Sequence, residues 1–289
     1  MEIVMNSHKT IPKSTLKRFA DPKTKMFSYY DIKRKEIRDY APKSYNTEEG
    51  YYSSEFEDWL GRYVEKPMGD LNKALDCFIE AKDNFNGDFD KIKKDLITFI
   101  AAQSVRMPST MEYVMETEHK NVLINKCLSD IARRGKLDAE VIYRADKYRK
   151  EMVSDESKRV VFYNVETITK VIKRLNKRLA DYTVDFAIID EKTNASFIIT
   201  PMHFFSVGNR IIVPCSPRFA FILRPKEDQE RNYLAEDNNE LVQRWISIDD
   251  EDLLLFLPHC INAIELYEPQ HVIADKSYLQ KLIAGKHLN

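Results

Sequence analysis

At residue 180 the hydrophobic period of the chain changes, and this one switch restricts the fold more than any other feature. Val165, Ile168, Ile172, Leu175 and Leu179 form one stripe at helical spacing, with Lys170, Lys173, Arg174 and Lys177 around the remainder. Directly afterwards the spacing becomes strand-like, through Thr183–Ile189, a turn at Glu191–Asn194, Ser196–Thr200, Ile211–Val213 and Arg218–Leu223. Helical pattern before a run of strands predicts α+β rather than alternating β-α-β units.

Upstream of the switch, Lys25–Ile32 and Ile37–Tyr40 flank the charged Lys33–Glu36 and predict a short β-hairpin. Ser53 or Ser54 is placed to cap a helix, with Glu57 three residues past Ser54 and Phe56, Trp59, Leu60 and Tyr63 on one face. Leu71, Leu75, Phe78 and Ile79 continue the helical spacing. Leu96–Val105 is apolar almost all round, as a helix at the centre of a domain must be, and Pro108 ends or kinks it. Glu112–Arg159 reads as charged outer helices, Asp228–Asn239 as a loop, Leu241–Ile246 as a strand, and Asp249–Leu257 and Lys276–Ile283 as closing helices.

The expected fold is α+β: a mostly helical N-terminal part with a short β-hairpin, packed on a predominantly antiparallel sheet formed mainly by residues after 180. With no repeat, low-complexity tract or Gly-Ser linker, a single integrated domain over 1–289 is expected, with a weak internal division near 160–182.

A formal net charge of −1, although 31% of residues are charged, gives no overall field to gather phosphate backbones and argues against unspecific nucleic-acid coating. Cys77, Cys127, Cys215 and Cys260 contain no C-x-x-C pair, so they read as reduced core thiols. No apolar leader and no window of about 20 apolar residues is present. A cytoplasmic protein without membrane contact is expected.

The block His8–Asp21, then Phe99–Pro108, Ser196–Thr200 and Val213–Pro217, resembles the domain of unknown function family 4238, and Val272–Leu279 is similar to that family's closing strand-to-helix segment. The resemblance implies a soluble microbial protein, often from variable or mobile gene content, with no established reaction. Two departures stand out. The family's leading histidine lies three residues before the proline, where this chain has Lys9, with His8 one step earlier. The family's aspartate in its F-I-T-S-D-N-P segment aligns with Pro201 here.

Five residues are candidates for a site. His8 carries an imidazole that titrates near neutrality and suits acid or base work, or it orders the chain end near the Pro12 helix start. Arg106 continues the apolar face of its helix three residues beyond Gln103 and seven beyond Phe99. A buried guanidinium there needs a carboxylate, backbone carbonyls or a bound anion. Lys17, with Lys13, Arg18, Tyr29 and Tyr30, could form a basic stacking surface for nucleic acid, although such lysines are usually solvated. His203 lies in a loop between strands, beside Phe204 and Phe205, which favour a packed turn. His259 and Cys260 lack further ligands at metal spacing, so no metal and no cofactor is expected.

The absence of G-x-x-x-x-G-K-[ST], G-x-G-x-x-G, H-E-x-x-H and G-x-S-x-G removes the sequence-readable phosphate-loop, dinucleotide, zincin and hydrolase classes. Two functions are carried forward. One is a metal-independent nuclease or phosphodiesterase-like effector acting on nucleic acid or nucleotides, as in phage defence or mobile-element biology, with Arg106 as anion holder, His8 as proton-transfer group, and Gln103 and Lys17 assisting. The other is a non-enzymatic module recognising a protein or small anionic ligand, which the missing aspartate at Pro201 favours.

Overall fold

The computed structural model describes residues 6–81, 88–106, 163–189, 193–226, 245–248, 257 and 270–288. The main sheet has five strands in the order β6-β7-β8-β5-β9, comprising β5 (Tyr182–Ile189), β6 (Phe205–Val207), β7 (Arg210–Ser216), β8 (Phe219–Pro225) and β9 (Trp245–Ile248). Its pairs are antiparallel, except that the edge strand β9 runs parallel to β5. Gly208, at φ 57°, supplies the left-handed backbone that the two-residue β6–β7 turn requires.

Strand alternation explains how one sheet serves two cores. Phe219, Phe221 and Leu223 of β8 join a helix-facing cluster, whereas Ala220 and Ile222 join the opposite one. The helical layer contains α2 (Ser54–Leu60), a π turn over Gly61–Glu65, α3 (Lys66–Ala81), α4 (Phe89–Val105) and α5 (Val165–Arg178). Ser53 caps α2 by accepting from the Phe56 amide at 3.2 Å, which selects Ser53 over Ser54 and leaves Glu57 outside a capping box. Asp88 caps α4 and Asn164 caps α5 in the same manner. Ile92, Leu96, Phe99 and Ile100 of α4 pack with Val184 and Phe186 of β5. Burying one such side chain contributes about 2 kcal/mol.

On the other face lie a three-stranded sheet, ordered β10-β2-β3, and helix α6 (Lys276–Ala284). Here β2 (Phe27–Asp31) and β3 (Glu36–Tyr40) form the expected hairpin, and β10 (His271–Ala274) pairs antiparallel with β2. Tyr30, Val272 and Ala274 face the main sheet. Phe27, Tyr29 and Ile273 turn the other way, onto Leu16 and Phe19 beside α1 (Lys13–Arg18). A two-stranded ladder of β1 (Asn6–His8) with β4 (Thr47–Glu49) completes the described elements, with His8 opposite Thr47.

The α+β class holds, and the sheet built after residue 180 is antiparallel apart from β9. The N-terminal part is less helical than expected, because four strands lie before residue 50. Ser196–Thr200 is buried but forms no strand; among the described residues its one ladder contact is the Ile199–Ile273 bridge, with N–O distances of 2.9 and 2.8 Å. Of the strand expected at Leu241–Ile246, Trp245 and Ile246 lie in β9, which runs to Ile248, and 241–244 lie outside the described residues. Helices expected over Glu112–Arg159, the Asp228–Asn239 loop, Pro108, and His259 and Cys260 lie outside the described residues, as does Asp249–Leu257 apart from its final residue, Leu257, which is buried.

A buried ion pair lies between β5 and β8. Arg224 donates to Asp185, from Nε to Oδ2 and from Nη2 to Oδ1, and both residues are almost fully enclosed. Such a pair gains little over apolar packing, yet loses heavily if one partner is removed.

Candidate functional site

The last two turns of α4 carry Phe99, Gln103 and Arg106 within about 60° of one another around the helix axis, by its 3.6-residue period. All three are buried, Gln103 at 0% exposure and Arg106 at 1%. Arg106 is the C-cap residue, with its amide donating to the Ala102 carbonyl at 3.0 Å, so its cation lies at the negative end of the helix.

Three distant segments meet this guanidinium. From the N-terminal ladder, the backbone carbonyl of His8 accepts a hydrogen bond from Nη2. The Tyr52 ring lies with its centroid 5.6 Å from the guanidinium carbon, and the Tyr52 hydroxyl donates to the Lys9 carbonyl at 2.6 Å. The π turn between α2 and α3 brings Glu65 Oε1 to 3.8 Å from Nη1, an ion pair longer than a hydrogen bond. Burial alone would favour loss of the proton; Tyr52, Glu65 and Glu57 outweigh it and hold Arg106 charged.

Much of the polar capacity here is unused. Arg106 Nε and Nη1, both amide atoms of Gln103 and His203 Nδ1 make no hydrogen bond among the described residues, whereas Ser7 Oγ faces the Glu57 carboxyl. Burial raises the Glu57 carboxyl above its ordinary range, against the opposing effects of Ser7 and Arg106. A native core rarely leaves buried polar groups of this kind unsatisfied.

Two histidines flank the cluster, both held uncharged. His8 Nδ1 donates to the Tyr45 carbonyl at 3.2 Å, leaving the lone pair on Nε2. Burial and the Arg106 charge push its pKa down to about 4. His203 packs edge-on against Phe99 at 4.9 Å and bonds through Nε2 to the Pro214 carbonyl at 2.9 Å. Burial, with Arg106 contributing, likewise pushes it down to about 4. Its φ of 61° is left-handed, a conformation that costs a non-glycine residue on the order of 1 kcal/mol.

The structure thus brings His8, Gln103, Arg106 and His203 to the same end of α4. His8 meets Arg106 through its main chain, and its ring is turned to Tyr45. Lys17 is exposed on α1, and no hydrogen bond or ion pair joins it to Arg106 among the described residues. Ser7, Tyr52, Glu57 and Glu65 were not singled out as site residues from the sequence. The adjacent Tyr51 and Tyr52 just before a helix cap were the available signal, since Tyr51, Tyr52, Phe56 and Tyr163 stack into an aromatic wall with centroids 4.8 to 6.1 Å apart.

A cavity of about 960 Å³ lies elsewhere, between the end of α1, the β7–β8 turn and the start of α6. Its principal charges are already paired: Arg18 donates to Asp76 at 2.6 and 2.7 Å and to the Cys215 carbonyl at 2.9 Å, and Lys276 donates to Asp39 at 2.6 Å. Among the described residues no three His, Cys, Asp or Glu side chains are grouped to hold a metal ion, and no helix is long and apolar enough to cross a membrane.

No curated protein and no solved structure matches the chain. The family model described as protein of unknown function (DUF4238) matches residues 8–272, from the histidine whose carbonyl holds Arg106 to the second residue of β10. The chain belongs to the DUF4238 family of proteins of unknown function.

Proposed function

We propose that this protein is a recognition module for a small anion, with Arg106 as its counter-charge and Gln103 as its polar partner. One observation carries this: among the described residues, a guanidinium 1% exposed keeps two nitrogens without hydrogen bonds, on the same helix face as an amide with neither atom bonded. A cation built only to brace the fold would be expected to meet close acceptors, as Arg18 meets Asp76 and the Cys215 carbonyl. The nearest carboxylate instead stands 3.8 Å away on a half-buried side chain. An oxyanion supplies the missing acceptors with charge-assisted bonds.

The test is a thermal-shift titration with inorganic phosphate, sulfate and acetate on the wild type and on Arg106→Met. Saturable stabilisation of the wild type by one of these anions, absent in the variant, supports the function, because a ligand bound only to the folded state raises its stability. Equal responses of the two proteins contradict it.

A specific observation also favours hydrolysis of a phosphodiester by an effector of nucleic acid or nucleotides. His8 is uncharged with its lone pair on Nε2, which suits a general base beside an anion holder. Its measurement is cleavage of a model diester by wild type and His8→Ala; cleavage lost only in the variant supports it, and no cleavage by the wild type rejects it.

A further inference from the structure

Resting on that anion-binding function, we infer that the ligand is an oxyanion that still carries a proton, of the class of inorganic hydrogen phosphate, and that His203 selects it over sulfate. The inference comes from counting donors against acceptors in the buried cluster.

The donors without a hydrogen bond among the described residues are Arg106 Nε, Arg106 Nη1, which has only the long Glu65 contact, and the Gln103 amide nitrogen. A bare anion would satisfy these, since its oxygens accept only. Two unused atoms demand the opposite. Because the Pro214 carbonyl can only accept, His203 Nε2 must carry the ring proton, and Nδ1 is left as an unshared pair. The Gln103 amide presents one oxygen whichever way it is turned, so it always keeps an acceptor.

Placement supports a common ligand. His203 rests against Phe99, Gln103 follows one turn along α4, Arg106 one turn further, and the Arg106 charge reaches His203. Sulfate would answer the guanidinium but set its lone pairs against those of His203 Nδ1 and Gln103 Oε1, leaving buried acceptors unpaired. Dihydrogen phosphate, an abundant form of inorganic phosphate near neutral pH, answers both sets, with bare oxygens toward Arg106 and one O–H each for His203 Nδ1 and Gln103 Oε1. A phosphodiester monoanion has no such proton and is disfavoured on the same ground.

The experiment is calorimetric titration of the full chain with inorganic phosphate, arsenate and sulfate near neutral pH. Phosphate and arsenate, which both keep a proton, should bind at least about tenfold more tightly than sulfate. In His203→Phe the preference should fall to within about threefold, with affinity for sulfate retained. The wild-type comparison decides the matter even if that variant does not fold. Equal wild-type binding of phosphate and sulfate overturns the proton requirement alone. Binding of neither overturns the anion-binding function with it.

Discussion

Arg106 at the end of α4 donates from Nη2 to the main-chain carbonyl of His8 in β1, joining positions 98 residues apart in the chain. That bond places a cation among buried groups, with Glu65 as a long ion-pair partner of Nη1 and Tyr52 beside it, while Nε and Nη1 make no close hydrogen bond among the described residues. The consequences can be measured.

Arg106→Met should fold and lose no more than about 1 kcal/mol in chemical denaturation. Methionine fills the same space and removes the desolvation cost of the charge, which offsets the lost bond to His8. A loss of several kcal/mol would assign Arg106 to bracing the fold.

Glu65→Gln should tighten anion binding several-fold. Its carboxylate is the closest internal competitor for the guanidinium, at 3.8 Å, and the amide keeps its shape without the charge. Calorimetric titration with phosphate checks this; unchanged or weaker binding speaks against competition.

Stability should fall as pH is lowered from about 6.5 to about 4 and change less below that, as far as the histidines govern it. His203 and His8 both have folded pKa values depressed to about 4, so between these limits the unfolded chain binds more protons and acid favours unfolding. Fully buried His203 alone accounts for up to about 3 kcal/mol, at 1.4 kcal/mol per unit. Glu57, raised by burial, opposes this partly by taking up a proton in the folded state. Urea midpoints across this range should be flatter for His203→Phe than for the wild type; parallel curves would contradict the assignment.

Asp185→Ala should cost about 3–5 kcal/mol, because it removes the carboxylate that Arg224 meets inside the sheet. The paired replacement Asp185→Leu with Arg224→Met should recover most of the loss. Urea denaturation of the two variants distinguishes loss of the buried charge pair from simple loss of packing.

If the chain is one integrated unit, calorimetric unfolding should give a single transition, since β5, β7 and β8 contribute to both large apolar clusters. Two resolved transitions would divide it.

The elements legible in the sequence were those with a strong local period. The α5 stripe, the β2–β3 hairpin and the nearly apolar Leu96–Val105 stretch of α4 follow from side-chain spacing alone, and the register of Arg106 with Phe99 and Gln103 pointed to the face on which it is buried. Pairings across long stretches were not legible. Nothing local to Val272 indicates that it lies opposite Tyr30, and Ser196–Thr200 has a strand's burial while its backbone meets β10 at a single bridge. The site was half visible for the same reason. Gln103 and Arg106 share a helix, whereas Tyr52 and Glu65 reach them through a π turn and an aromatic wall that no short motif encodes.

The most direct measurement is calorimetric titration of inorganic phosphate into the wild type and Arg106→Met side by side, each verified as folded. Saturable binding to the wild type, weakened at least about a hundredfold in the variant, is the predicted result. Equal binding to both proteins, or binding to neither, would contradict an anion site at Arg106.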